Sequence, residues 1–361
     1  MNCHERCGWV GRFTSTPASP QGGRDARIDA AKALGMVLVV FGHSKGFPDW
    51  FIVLIYSFPV PLFFLLSGWV AGMHTRERGF GERLLQLVRT LLVPYLFFFF
   101  LGYLYWLLTR HIGEKAVRWG THPWWEPLKG LLLGVGADLY VQPALWFLPA
   151  LFVTALTYHV LSKCVPLPRL VVLTWLASWI WIQWFPGVGT RLPFALDEMP
   201  VALFFFVFGA MAARGSWLRL FPKTKRGNLI LLAVLLLPWF GLAWCNTKVD
   251  MNMLLFGASP LLFYVVALLG TAIVLCVSAL VEHCSVVQWI GRNTLLITCT
   301  HPLVFFVFSG VLSLLGIKSG VISALLIPVI TLYLTPIFRW ILMKWMPWSL
   351  GASSSVRMPA K

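Results

Sequence analysis

The stretch Arg27-Ile-Asp-Ala-Ala-Lys-Ala-Leu-Gly-Met-Val-Leu-Val-Val-Phe-Gly-His43 decides the fold. It begins with charge, runs into an apolar helix and then places a histidine about halfway across a membrane. A titratable side chain in hydrocarbon is expensive, so its default reading is a working site. At about 100° and 1.5 Å per residue, Lys32 and His43 differ by only about 20° of rotation and about 16 Å of rise. They share one helix face, with Asp29 close to the Lys32 side and Arg27 nearly opposite. A column of acid, cation and histidine is more than a lipid-facing helix needs.

The rest of the chain continues the apolar pattern. Of its 361 residues, 58% are hydrophobic, 15% aromatic and only 12% charged, about half the charged share of a soluble domain. Apolar blocks of about 20 residues recur, as a hydrocarbon core of about 30 Å requires. Ten spans are expected, at 31–47, 52–73, 88–109, 144–162, 169–185, 199–213, 228–245, 258–281, 294–316 and 320–342. The expected fold is an all-α polytopic membrane protein. The segment 128–142 is short, broken by glycines and followed by Asp138 within it, and reads as re-entrant or interfacial.

Residues 1–23 are polar, carry Pro17, Pro20 and Gly22-Gly23, and lack a signal-peptide core, so they read as a disordered cytoplasmic tail. The membrane domain is expected over 24–344 and a cytoplasmic C-terminal tail over 345–361. With this span order, 21 of the 29 Lys and Arg fall on the side of the two termini and 8 on the other. The positive-inside rule then puts both termini in the cytoplasm. The net charge of +16 is thus a signal of topology and anionic lipid. The cations are scattered among loops, which argues against nucleic acid. Seven cysteines, an odd number, give no disulfide framework. Cys3-His4 and Cys7 sit on the N-terminal tail, and the others read as small apolar residues.

Five segments resemble the membrane acyltransferase-3 family, and they occur in that family's order. They are the Arg27–His43 stretch, Phe58-Pro-Val-Pro-Leu-Phe-Phe-Leu-Leu-Ser-Gly-Trp69 and Arg89-Thr-Leu-Leu-Val-Pro-Tyr95. Next come Leu145-Trp-Phe-Leu148 with Phe204-Phe-Phe-Val-Phe-Gly209, and finally Trp289-Ile-Gly-Arg-Asn-Thr-Leu with His301-Pro302. The Lys and Gly-His sub-pattern is most similar to the branch of fucose 4-O-acetylase-like and exopolysaccharide O-acetyltransferases. The resemblance implies a bacterial inner-membrane enzyme. It would move an acetyl group from acetyl-CoA to a hydroxyl of a carbohydrate or lipid-linked oligosaccharide. Many members have Arg where this chain has Lys32, and the two cations bind phosphate with different geometry.

The residues fit that chemistry. Histidine serves as base or nucleophile near neutral pH, and His43 is the first candidate for that role. His301 is the second, at a similar depth in its own span, with Pro302 freeing a backbone carbonyl; a kink-forming His-Pro also has a purely structural reading. Lys32, Asp29, Arg89, Arg292 and Asn293 are the candidate donor contacts, with cations toward the phosphates of coenzyme A. Positive-inside topology alone also places cations there. Ser67 and Phe64 are candidate pocket residues, although Ser67-Gly68 also reads as close helix packing.

On the outer side, Asp197-Glu198 and a loop with Trp119, His122, Trp124, Trp125, Glu126 and Tyr140 suit a sugar platform. Interfacial anchoring also explains the aromatics. No phosphate-cradling glycine loop, zinc-ligand spacing or Gly-x-Ser-x-Gly elbow occurs, so no metal is expected. The rival class is a transporter or flippase for a glycan or acyl group. Its usual marks are internal repeats and mid-span carboxylates, and the sequence shows neither.

Overall fold

The computed structural model describes residues 24–74, 78–136, 138–316 and 320–351. The expected tail 1–23, with Cys3, His4 and Cys7, lies outside them, as do residues 352–361 of the expected C-terminal tail.

Helix α1 (Ala26–Gly42) starts at Asp25, whose carboxylate accepts the backbone N–H of Arg27 at 2.9 Å and of Ile28 at 3.3 Å. That cap satisfies donors that a helix start leaves unpaired. The helix stops one residue before His43. His43 therefore caps α1, where the sequence places it within a span running to residue 47. Gly46, at φ 115°, turns the chain, and a Cβ there would meet the Gly320 carbonyl oxygen at 2.8 Å. The expected span 52–73 is two helices, α2 (Asp49–Tyr56) and α3 (Pro59–Met73). They part at Ser57-Phe58 because Pro59 has no N–H to continue the ladder.

Helix α4 (Phe80–Leu87) passes through a π-helical turn at Val88–Leu92 into α5 (Val93–Thr109). Two short helices follow, α6 (Glu114–Trp119) and α7 (Glu126–Leu133). At eight residues, α7 falls far below the roughly 20 needed to cross a bilayer. Then come α8 (Phe147–Cys164), α9 (Leu167–Trp184), α10 (Met199–Arg214) and α11 (Lys225–Asn246). A two-stranded antiparallel hairpin, β1 (Val249–Asp250) with β2 (Leu255–Phe256), pairs Val249 with Phe256 and Asp250 with Leu255. The chain closes with α12 (Pro260–Val281), α13 (Ser285–Arg292), α14 (Thr294–Leu314) and α15 (Val321–Trp345). Among the described residues, nine helical stretches are long and apolar enough to cross a membrane. The tenth expected span is α1, at 17 residues. The protein is an all-α multi-pass membrane protein.

Alternating spans sort the loops to two ends. At one end, here proximal, Arg292 meets Asp29, and the Arg27 guanidinium donates to Leu275 O at 3.0 Å and Asn228 Oδ1 at 3.3 Å. At the distal end, Arg191 Nη1 donates to Asn252 O at 2.8 Å, and the Gly136 N–H donates to Asn252 Oδ1 at 2.8 Å. Asp197 and Glu198 are also distal, but both are buried and paired with Arg191. They clasp loops together and do not face outward as a sugar platform.

The core lies between α3 and α10. A Cβ at Gly68 would stand 1.8 Å from Phe206 O, and one at Gly209 would stand 1.9 Å from Leu65 O. Each helix lays its backbone against a glycine of the other, the small-residue contact expected where water cannot drive association. The most apolar part of the α10 stretch is 67% buried, whereas that of α11 is only 11% buried and faces outward. Beyond α15, a 3-10 turn at Pro347–Leu350 packs Trp348 edge-on against Phe97 at 5.3 Å. This part of the expected C-terminal tail is thus docked on α5.

Candidate active site

One face of α1 sets the site. Lys32, Met36, Val39 and His43 recur at helical spacing and line a cavity of about 200 Å³ between α1, α3, α8 and α14. Facing residues on α3 are Val60, Phe63, Leu66 and Ser67. Helix α8 contributes Phe147, Leu148 and Leu151, and α14 contributes Thr294, Leu295 and Thr298. Gly35 lets α3 approach, since a Cβ there would meet Leu62 at 2.9 Å and Phe63 at 3.3 Å. The walls are largely apolar, with polar groups concentrated at Lys32, His43, Ser67 and the two threonines.

The His43 ring keeps an exposed surface because the cavity opens beside it. His301 packs against it, with ring centroids 5.1 Å apart and planes tilted by 45°. His301 is 0% exposed. Its Nδ1 lies 2.9 Å from Ile297 O, and because a carbonyl only accepts, Nδ1 carries the proton. The lone pair of Nε2 is left buried and without a partner. Phe305 closes the other side edge-on, at 6.1 Å. Two imidazoles in contact, one open to a cavity and one with a bare nitrogen, can accept or relay a proton.

A charge cluster stands at the proximal end. Asp29 lies 3.6 Å from Lys32 Nζ and 3.7 Å from Arg292 Nε. One carboxylate between two cations leaves a net positive charge. The geometry depends on Gly291, where a Cβ would stand 2.0 Å from Asp29 O. That absence lets α13 lie directly on α1 and carry Arg292 to Asp29. The arrangement offers an anion-binding mouth at one end of an apolar passage and an imidazole pair further in.

The structure brings together Lys32, Asp29, Arg292, His43, His301 and Ser67, and leaves three expected residues apart. Arg89 is exposed on the π-helical turn, where Leu91 and not Arg89 reaches the cavity. Asn293 links α13 to α14, its Nδ2 donating to Trp289 O at 2.7 Å, and it does not line the cavity. Phe64 is fully buried against Phe147, with ring centroids 5.0 Å apart, and Phe63 is the wall residue instead. A one-residue step turns a helix by about 100°, which is enough to exchange cavity for core.

Sequence reasoning passed over Thr294 and Thr298. Their signal was present, since 294, 298 and 301 follow the spacing of one helix face. It also passed over Gln142, which is 0% exposed and donates from Nε2 to Cys299 O at 3.2 Å. No local pattern marks that contact.

Comparison with known proteins bears on the same residues. The family described as “Acyltransferase domain” matches residues 25–349, a range that holds the cavity, both histidines and the charge cluster. No curated protein and no solved structure matches the chain. The matched range covers nearly the whole chain, and the chain accordingly belongs to the acyltransferase-3 family of membrane acyltransferases.

Proposed function

We propose that the protein is an O-acetyltransferase of the bacterial inner membrane. It takes acetyl from acetyl-CoA and esterifies a hydroxyl of a cell-surface or exported polysaccharide, or of its lipid-linked precursor. The observation that carries this reading is one cavity lined by both His43, backed by the buried His301 ring, and Lys32, which shares Asp29 with Arg292 at the proximal end. In this reading the proximal end faces the cytoplasm. The phosphates of acetyl-CoA sit against Lys32 and Arg292, whose joint charge exceeds that of Asp29. The thioester lies along the apolar wall toward His43.

His43 removes the proton from the acceptor hydroxyl, and the hydroxyl oxygen forms a new bond to the thioester carbonyl carbon. The carbon–sulfur bond then breaks, and the thiolate leaves with the proton returned by the imidazolium. Ester and free coenzyme A thiol are the products. The buried His301 ring packs against the His43 ring and holds it in place. The oxygens of Ser67 and Thr298 lie along the passage as weaker polar contacts.

Proton NMR of surface and secreted glycans tests the reading, in a deletion strain complemented with the wild-type protein. One O-acetyl signal disappears in the deletion and returns with the wild type. Unchanged acetylation, with the glycan retained inside the cell, replaces it with the transporter reading.

The charge cluster makes a second expectation. Lys32→Ala raises KM for acetyl-CoA by about tenfold or more, the worth of a charge-assisted hydrogen bond, with a smaller change in kcat. Lys32→Arg is partly active. Arg89→Ala keeps the wild-type KM, because its side chain lies off the cavity. Equal KM values for Lys32→Ala and wild type remove Lys32 from the donor site.

A further inference from the structure

Polar atoms buried without a partner are uncommon in folded proteins, and each requires a reason. Four of them are Trp106 Nε1, Tyr140 Oη, Gln142 Oε1 and His301 Nε2. The rings of Trp106 and Tyr140 have centroids 6.0 Å apart. Tyr140 is two residues from Gln142 along the chain. Gln142 Nε2 then reaches Cys299 O at 3.2 Å, two residues before His301.

Trp106 and Tyr140 bound a shallow cleft together with Tyr105, Lys115, Trp119 and Phe306. Its enclosed room is only about 10 Å³, so a ligand lies across its mouth. Phe306 is five residues beyond His301 on α14, about 7.5 Å of rise. Gly102 forms the floor, and a Cβ there would meet Gln142 Cγ at 2.5 Å and Val141 O at 2.8 Å. Gln142 thus packs between the cleft floor and α14, the helix that carries His301 and contributes to both sites.

The groups at the rim are polar and directional. Lys115 Nζ donates to Tyr105 Oη at 2.8 Å and to Thr109 Oγ1 at 3.1 Å, which leaves a further N–H for a ligand. Trp119 stacks on Tyr140 at 5.8 Å, with Arg118 over the Trp119 ring at 5.0 Å. Arg110 lies 5.0 Å from the Trp106 ring, and His122 stands 2.7 Å from Glu126 beside Tyr140. Burial pushes the Tyr140 hydroxyl above its ordinary pKa, so it stays a neutral donor. Aromatic rings edged by unsatisfied donors and acceptors match a ligand with apolar ring faces and many hydroxyls. An interfacial anchor needs no such buried atoms. Trp124, at 60% exposed, and Trp125, at 44%, are the ones placed like anchors.

Building on the proposed O-acetyltransferase reading, we infer that this distal cleft is the acceptor subsite. One sugar ring of the acceptor glycan lies across its mouth, against Trp106, Tyr140 and Lys115. Donor and acceptor then approach the imidazoles from opposite ends of the helix bundle.

The test removes polar atoms while keeping bulk, using Trp106→Phe and Tyr140→Phe. Full-length protein in proteoliposomes receives acetyl-CoA and de-O-acetylated oligosaccharides prepared from the host's own surface polysaccharide. Each variant is expected to raise the acceptor KM about five- to tenfold, with the acetyl-CoA KM at the wild-type value and thermal stability in detergent retained. Trp124→Ala, on the exposed rim, keeps both constants. Acceptor KM values equal to wild type in both Phe variants overturn the inference. So does a fall in kcat alone with a larger solvent isotope effect, which marks these polar atoms as part of a water path, or loss of bound anionic lipid in place of acceptor affinity. If wild-type protein itself releases no thiol from acetyl-CoA in the presence of the acceptor, the O-acetyltransferase reading has failed, not merely the location of the sugar.

Discussion

His43→Ala is expected to reduce acyl transfer by about 10²- to 10⁴-fold, the range that a positioned general base contributes. The protein should still insert and elute as a single species, because His43 sits after the last turn of α1 and opens onto a cavity. Its removal leaves the backbone N–H of residue 43 bonded to Val39 O at 3.1 Å. The loss falls on kcat, while the acetyl-CoA KM, set by the cluster around Asp29, stays within a few-fold. His301→Ala is expected to cost less, about tenfold to a hundredfold, because that buried ring acts only through its contact with His43. The double variant should be scarcely slower than His43→Ala alone, since residues that act as a unit are not additive. Steady-state assays of thiol release and ester formation read all three. Transfer near the wild-type rate in His43→Ala removes the catalytic assignment, and strict additivity of the two losses separates the imidazoles into independent roles.

The second large effect concerns assembly. Gly209→Val and Gly68→Val should each abolish or severely reduce the yield of folded, monodisperse protein. A Cβ at either position would overlap a backbone carbonyl oxygen of the partner helix, at 1.9 Å for Gly209 and 1.8 Å for Gly68. A backbone carbonyl cannot swing aside as a flexible side chain does, so α3 and α10 must separate along their length. Overpacking a core costs about 1–3 kcal/mol and more where the neighbours are rigid. Here it also breaks close backbone packing that lipid does not replace. Gly241→Val is the matched control, because nothing lies within 4 Å of a Cβ at that position. Fluorescence-detected size exclusion and thermal unfolding in detergent compare the three variants. A melting temperature for Gly209→Val within a few degrees of wild type would show that the α3–α10 contact carries little of the stability.

The limits of sequence reading are visible in particular elements. Span lengths were legible because hydrocarbon thickness imposes a local constraint on composition. The break at Ser57-Phe58 carried a local signal in Pro59, although the apolar run hid it. The end of α1 was placed too late, at 47, since Gly46 and Ser44 act through a turn that hydropathy does not register. Phe63 and not Phe64 lines the cavity, a distinction the sequence does not carry because it reports the apolar character of α3 without its rotation. Asp197 and Glu198 read as outward carboxylates in the sequence, whereas both are buried against Arg191. Arg89 and Arg292 looked alike in a count of cations. Only packing distinguishes them, through Gly291 bringing α13 onto α1.

What the sequence determined by itself is whatever depends on helical period and bilayer thickness. It makes the chain a multi-pass helical protein and puts Lys32 and His43 on one face, because the period of a helix relates neighbours within about three turns. What only the tertiary structure decided is every contact between distant segments. The pairing of His43 with His301, the sharing of Asp29 by Lys32 and Arg292, and the approach of Gln142 to α14 belong here. These depend on how close two helices can come and at what rotation. That is set by glycines meeting backbone across an interface, a relation between residues far apart in the chain that no local period records.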